Sequence, residues 1–215
     1  MKRAKLTLSA LSSIILIMSL AACNNLGLLD QMENPGGASS TKSGTSTLFL
    51  FATANTMAGD VRGGLGDARA GADMNCMTTR ATLSFPDNSC TQVRAVISLS
   101  LADSIANMPG MYGVPTNRSI NGPNNFVIAS DWNTLIAGTS GNSLTNGNVM
   151  TAATTWWSFS TTGGNYDNTN NCSGGTIGTS INGAKGDSST TGNTWLASGA
   201  AAVCSTAAKL LCVCY

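Results

Sequence analysis

Six of the chain's seven cysteines fall between residues 76 and 214, at positions 76, 90, 172, 204, 212 and 214. In a chain of 215 residues this constrains the fold more than any hydrophobic pattern, because a crosslink holds two distant segments at a Cα separation of about 6 Å. Whether these cysteines crosslink depends on the redox compartment. Met1-Lys2-Arg3-Ala4-Lys5 is a basic start, and the 15 residues from Leu6 to Leu20 are mostly apolar, with Ile14-Ile15-Leu16-Ile17-Met18 at their centre. That run is shorter than the ~20 residues a membrane-spanning helix needs. Its order of basic, apolar and small residues is that of a secretory signal peptide, expected over 1–22. Export puts the six cysteines in an oxidising environment, so three disulfides are expected, with about fifteen pairings open. A zinc site does not fit, because one residue separates Cys212 from Cys214 and no second close pair exists.

The seventh cysteine has a different role. Leu20-Ala21-Ala22-Cys23 resembles the lipobox of bacterial lipoproteins, with leucine, two small residues and then cysteine. The resemblance implies that the Cys23 thiol carries a diacylglycerol and that residues 1–22 are removed. Buried lipid contributes about 0.8 kcal/mol per CH₂, and two chains suffice for stable anchoring. The implied partner is a lipid bilayer, reached through acylated Cys23. The implied location is the cell envelope, lipid-anchored at the outer membrane and surface-exposed. Residues 24–46, NNLGLLDQMENPGGASSTKSGTS, are rich in Gly, Ser, Thr and Asn. With Cys23 they read as a lipidated, flexible tether over 23–46, of r.m.s. span about 25–30 Å. The remaining chain, 47–215, reads as one domain.

Composition narrows the chemistry. There is no histidine, and the only glutamate is Glu33. Ser-His-Asp and Cys-His catalysis are thereby excluded, as is a His-ligated zinc. The nine aspartates are scattered, so an Asp-based hydrolase is the enzymatic alternative and no enzyme is the expectation. Removing Lys2, Arg3 and Lys5 from the 11 basic residues leaves 8 against 10 acidic ones, a net charge of −2. No basic stripe marks a nucleic-acid partner. Charged residues are only 10 %, and hydrophobic ones 42 %, enough for an ordinary core. Gly, Ser, Thr and Asn crowd the chain after residue 138, which favours turns and polar loops.

The domain opens on Leu48-Phe49-Leu50-Phe51-Ala52-Thr53, a short apolar run that predicts a buried strand. Leu65, Ala68, Ala72 and Cys76 recur at helical spacing, with Asp67, Arg69 and Asp73 off that face, predicting a helix over 66–79. Val93 to Leu99 reads as a strand and Ser100 to Asn107 as a short helical turn. Phe126 to Ala129 with Trp132 reads as a strand or packed loop. Thr154 to Ser160 is a β-prone aromatic run. Residues 161–194 are almost all small and polar, with Ile177 and Ile181 as expected anchors. The segment from Ala207 to Tyr215 reads as a terminal strand.

In that order, residues 47–215 resemble a family of uncharacterised spirochaete lipoprotein domains, related in fold to C-type-lectin-like and endostatin-like domains. The matching pieces are FLFATANTMAGD, GADMNC at 71–76, VRAVIS at 93–98, Asn117-Arg118-Ser119-Ile120, the tryptophan pair 156–157, NNCSG at 170–174, the lone Trp195 and CSTAAKLLCVCY at 204–215. Two departures stand out: Val96-Ile97 occupies a place where the family carries tryptophan, and Leu211-Cys212 stands where the family ends Leu-Tyr-Cys. The resemblance implies an α+β fold, a C-type-lectin-like domain with long irregular loops, stapled by disulfides. It implies Cys76–Cys212 and Cys172–Cys204 as bridges and leaves Cys90–Cys214 as an additional pair. Cys212 and Cys214, two apart on a strand, would share one face.

Sugar-binding C-type lectins hold calcium on motifs that Gly122-Pro123-Asn124 and Trp132-Asn133-Thr134 echo without the carboxylates. These segments read as loop and turn, and no metal or other cofactor is expected. Asn165 to Asn171 is oxygen-rich, a weak calcium site or adhesive loop on one reading and a self-capped turn on the other. Lys185-Gly186-Asp187 is an integrin-type tripeptide, too short to carry weight. Gly63-Gly64-Leu65-Gly66 lacks the third glycine of a dinucleotide loop and reads as a turn into the helix. Trp156 and Trp157 should point to opposite faces, leaving one partly exposed. With Trp195 and Asp167 they are the candidate ligand contacts. The expected function is a non-enzymatic, adhesin-like surface binding module for a host or environmental protein or glycan. The alternative is a structural envelope lipoprotein facing the periplasm.

Overall fold

The computed structural model describes residues 47–86 and 90–215. The segments expected to be a signal peptide and a tether, with Cys23 between them, lie outside the described residues. The fold is α+β, with small sheets and short helices. Its strands are β1 (Leu48–Ala52), β2 (Val93–Ala95), β3 (Ile120–Asn121), β4 (Val127–Ala129), β5 (Thr155–Trp157), β6 (Asn182–Gly183), β7 (Lys185–Asp187), β8 (Ala202–Val203) and β9 (Leu211–Cys214). Its α-helices of five residues or more, among the described residues, are α1 (Ala68–Arg80), α2 (Met108–Tyr112) and α3 (Trp132–Ile136). The main sheet runs β2-β9-β1-β3-β4, while β5-β7 and β6-β8 form two-stranded sheets. β1 lies antiparallel to β9, with Phe49 opposite Cys214 and Ala52 opposite Leu211, and parallel to β3. The domain therefore begins and ends at the same end of the sheet.

The continuous apolar runs of β1 and β9 follow from a sheet covered on both faces. Leu48, Leu50, Leu211 and Val213 join one core with Trp132, Trp156 and Trp195. Phe49, Phe51, Cys212 and Cys214 join a second with Ala72, Cys76, Trp157 and Phe159. Strand alternation thus sorts neighbouring residues into different cores rather than into core and solvent.

Helix α1 starts where the Asp67 carboxylate accepts the Ala70 N–H at 2.7 Å, an N-cap. Its inner line is Ala68, Gly71, Ala72, Asp73, Cys76 and Thr79. Two expectations are corrected here. Leu65 lies before the helix and is 43 % exposed. Asp73, expected off the apolar face, is 3 % exposed. It is buried because β2 is an edge strand whose outward backbone groups need partners. Asp73 Oδ1 accepts the Ala95 N–H at 2.8 Å, and Arg69 donates to Ala95 O and Ile97 O, each at 2.8 Å. One helix turn thus takes the place of a sixth strand. At Gly71 a Cβ would run into the Arg62 main chain, so only glycine allows the preceding loop to lie on α1.

The strand expected from Val93 to Leu99 is regular only to Ala95, although Val96 N–H still reaches Leu211 O at 2.8 Å. Trp132 lies in α3, capped by Asp131, which accepts the Thr134 N–H at 2.8 Å. In the long loop region Ile177 is half-buried and Ile181 is 40 % exposed, so the isoleucines do not anchor it. Cys172, Gly183, Ala184 and Gly186 are buried there instead, since small residues are what fit beneath Trp156, Trp157 and Phe159.

Candidate functional site

Three disulfides hold the domain. They join Cys76 to Cys212, Cys90 to Cys214 and Cys172 to Cys204, with Cα separations of 5.7, 5.3 and 5.7 Å. These are the same pairs that the lectin-like resemblance implies. Cys212 and Cys214 face the α1 side of the sheet and fasten it to the helix and to the loop after it. The third bridge closes the loop region that carries Trp195 and the 185–187 tripeptide, and begins five residues after Asp167.

The tryptophan contacts are corrected. Trp156 and Trp157 do point to opposite faces, but both are 0 % exposed and Trp195 is 1 % exposed. β5 is packed on both sides, so alternation leaves neither ring in solvent. Trp156 leans on Trp195 with centroids 5.7 Å apart, and Trp157 on Phe159 at 5.4 Å. Trp157 Nε1 donates to Met57 O at 3.0 Å and Trp195 Nε1 to Leu135 O at 2.9 Å, as buried indoles do. The three rings are core and offer no sugar-stacking surface. The Lys185-Gly186-Asp187 tripeptide is strand β7, not a loop tip: Gly186 is buried against Trp156 and the Trp195 carbonyl, and Asp187 accepts from the Ser189 N–H and hydroxyl.

Asp167 is the one candidate contact at the surface. Its Oδ1 accepts the N–H groups of Thr169 at 2.8 Å and Asn170 at 2.9 Å, and Asn170 Nδ2 lies 3.3 Å from Oδ2. Asn171 Nδ2 donates to Asp167 O at 2.8 Å, and Asn171 Oδ1 accepts the Gly174 N–H at 3.1 Å. The oxygen-rich run is thus a self-capped turn. Among the described residues no three acidic, histidine or cysteine side chains gather as a metal site. Asp167 borders a depression of about 100 Å³ with Ser160, Thr161, Asn170, Lys185 and Ser198. The buried Ser198 hydroxyl has no hydrogen-bond partner among the described residues. In the chain flanking the lining residues Ser160 and Asn170 the backbone is strained: Phe159, Cys172 and Ser173 have φ of 50°, 50° and 56°, in the left-handed region. The closed turn and the Cys172–Cys204 bridge hold that geometry.

The densest charge cluster lies elsewhere. Arg69 forks onto Asp103 at 2.7 and 2.9 Å, and Arg94 reaches Asp73 at 2.7 Å. Both guanidinium groups lie over the Tyr112 ring, with Cζ 5.2 and 4.9 Å from its centroid. Burial pushes the Tyr112 phenol up to about 12, against the pull of Arg69. Every carboxylate oxygen in this cluster is taken by a guanidinium or a backbone N–H, so it acts as a fastener between α1, β2 and α2. Sequence reasoning missed it, although the i,i+4 spacing of Arg69 and Asp73 is legible once the helix is placed. No family model matches the chain, and no curated protein matches it.

Proposed function

We propose that this protein is a lipid-anchored lipoprotein of the cell envelope whose C-type-lectin-like domain is a non-enzymatic binding module at the outer surface. The observation that carries the reading is the depression beside Asp167: a hollow of polar side chains and alanines, bordered by a self-capped turn and a disulfide-closed loop. Binding and recognition residues concentrate on loops presented by rigid scaffolds. The lectin-like assignment draws on the Cys76–Cys212 link between α1 and the last strand, the Cys172–Cys204 staple in the loops and the adjacent ends of the domain. Anchoring draws on Leu20-Ala21-Ala22-Cys23 and on the even number of cysteines left once Cys23 is acylated.

Protease shaving of intact cells, with an array of glycans and matrix proteins probed with and without chelator, tests the reading. Expected are release of the domain from intact cells and a chelator-insensitive hit weakened at least tenfold by Asp167→Ala. A domain protected from protease, or an array without a hit, overturns it.

A further inference from the structure

The end of the main sheet opposite the domain's two termini carries a second hollow. β1 leaves the sheet there, and the chain after α1, the β3–β4 turn and residues 148–151 close around its exit. The cleft is about 300 Å³, the size at which small-ligand pockets begin. Phe51, Leu83 and Met150 give it an apolar floor, and Thr82 and Thr151 add hydroxyls. Asn148, at its rim, sits in the left-handed region with φ 57°, a backbone setting that non-glycine residues rarely adopt.

Its single charged lining residue, among the described residues, is Lys209. Lys209 Nζ donates to Thr53 O at 2.6 Å and to Ala54 O at 2.9 Å. Among the described residues it has no carboxylate within ion-pair reach. An ammonium has three donors, so one remains beyond the two carbonyls. Lys209 is half-buried, and an anion in the cleft would take its remaining donor in a charge-assisted hydrogen bond. The apolar floor asks that the rest of the ligand be apolar. An apolar cavity of about 150 Å³ holds benzene, so twice that volume suits about a dozen non-hydrogen atoms.

We propose that this cleft binds a small organic carboxylate with an apolar body, its carboxylate on Lys209 and its body against Phe51, Leu83 and Met150. The site shares no lining residue with the Asp167 depression and does not depend on surface display.

Ligand-observed NMR titrations of the full, disulfide-bonded chain with 3-phenylpropionate, 3-phenylpropanol and 3-phenylpropylammonium test it. The carboxylate binds saturably at one site, and the alcohol and ammonium bind at least tenfold more weakly. Lys209→Met loses at least tenfold in affinity. Because Lys209 also ties the Thr53 and Ala54 carbonyls, Thr151→Trp serves as a companion that fills the rim and leaves those bonds alone; it loses binding too. No saturable binding, equal binding of the alcohol, or wild-type affinity in Thr151→Trp overturns the proposal.

Discussion

Asp73 carries three demands at once: the Ala95 N–H, the Arg94 guanidinium and, at 3.5 Å, Arg69. Asp73→Ala leaves a buried N–H and one cation without partners. Breaking a buried pair in this way costs about 3–5 kcal/mol. Arg94 is partly solvated and Arg69 keeps Asp103, so the loss belongs at the lower end, about 3 kcal/mol by the same scale, measured by denaturant unfolding. A change under about 1 kcal/mol would show that the edge of β2 does not need its helix partner. Tyr112 gives a pH test. Its folded pKa lies above the ordinary phenol value, so the folded state holds the proton more tightly. The stability it contributes is complete below pH 10 and is lost as pH rises through about 12. Absorbance near 295 nm should show a phenol ionising about two units late in the folded protein, with unfolding free energy falling over the same window. Ionisation of all three tyrosines near pH 10 would contradict the burial of the Tyr112 phenol.

At the scale of elements, β7 shows how little room the aromatic layer leaves. A Cβ on Gly186 would run into the Trp195 carbonyl and the Trp156 ring. Gly186→Ala should therefore destabilise by about 1–3 kcal/mol through overpacking and shift the near-ultraviolet dichroism of the Trp156–Trp195 pair. An unchanged spectrum and stability would mean that β7 does not pack against the Trp156 ring. The same element explains why the tripeptide 185–187 is not displayed. Its central residue lies against the Trp156 indole and the Trp195 carbonyl, and its ends are held by pairing with β5. Helix α1 was legible from spacing alone, within two residues at its start and one at its end. Its polar contacts were not, because which side of a helix meets an unpaired strand edge is decided by the strand, more than a dozen residues away.

For the whole molecule, the loop region from 158 to 203 is held by packing against Trp157 and Phe159 and by one bridge of sequence separation 32. On the chain-entropy account that bridge contributes about 3–4 kcal/mol, and Cys76–Cys212, of separation 136, about 5 kcal/mol. Cys172→Ala with Cys204→Ala should lower stability by the smaller amount and speed hydrogen exchange in 160–203 more than in β1 and β9. Uniform acceleration across the domain would mean that the loops and the main sheet open as one unit.

The sequence by itself determined the elements at both ends of the domain, the parity of its cysteines and the opposed faces of Trp156 and Trp157. These depend on local stereochemistry: apolar run length, helical spacing, and the two-residue alternation of a strand. Tertiary structure alone decided that both faces of β5 are covered, that Asp73 is buried, that Ile181 is exposed and that Lys209 stands beside a cleft with no ion-pair partner among the described residues. Burial and pairing are properties of what lies against a residue, and in this chain those partners come from segments tens of residues away in sequence, brought together by the folded core and its disulfides.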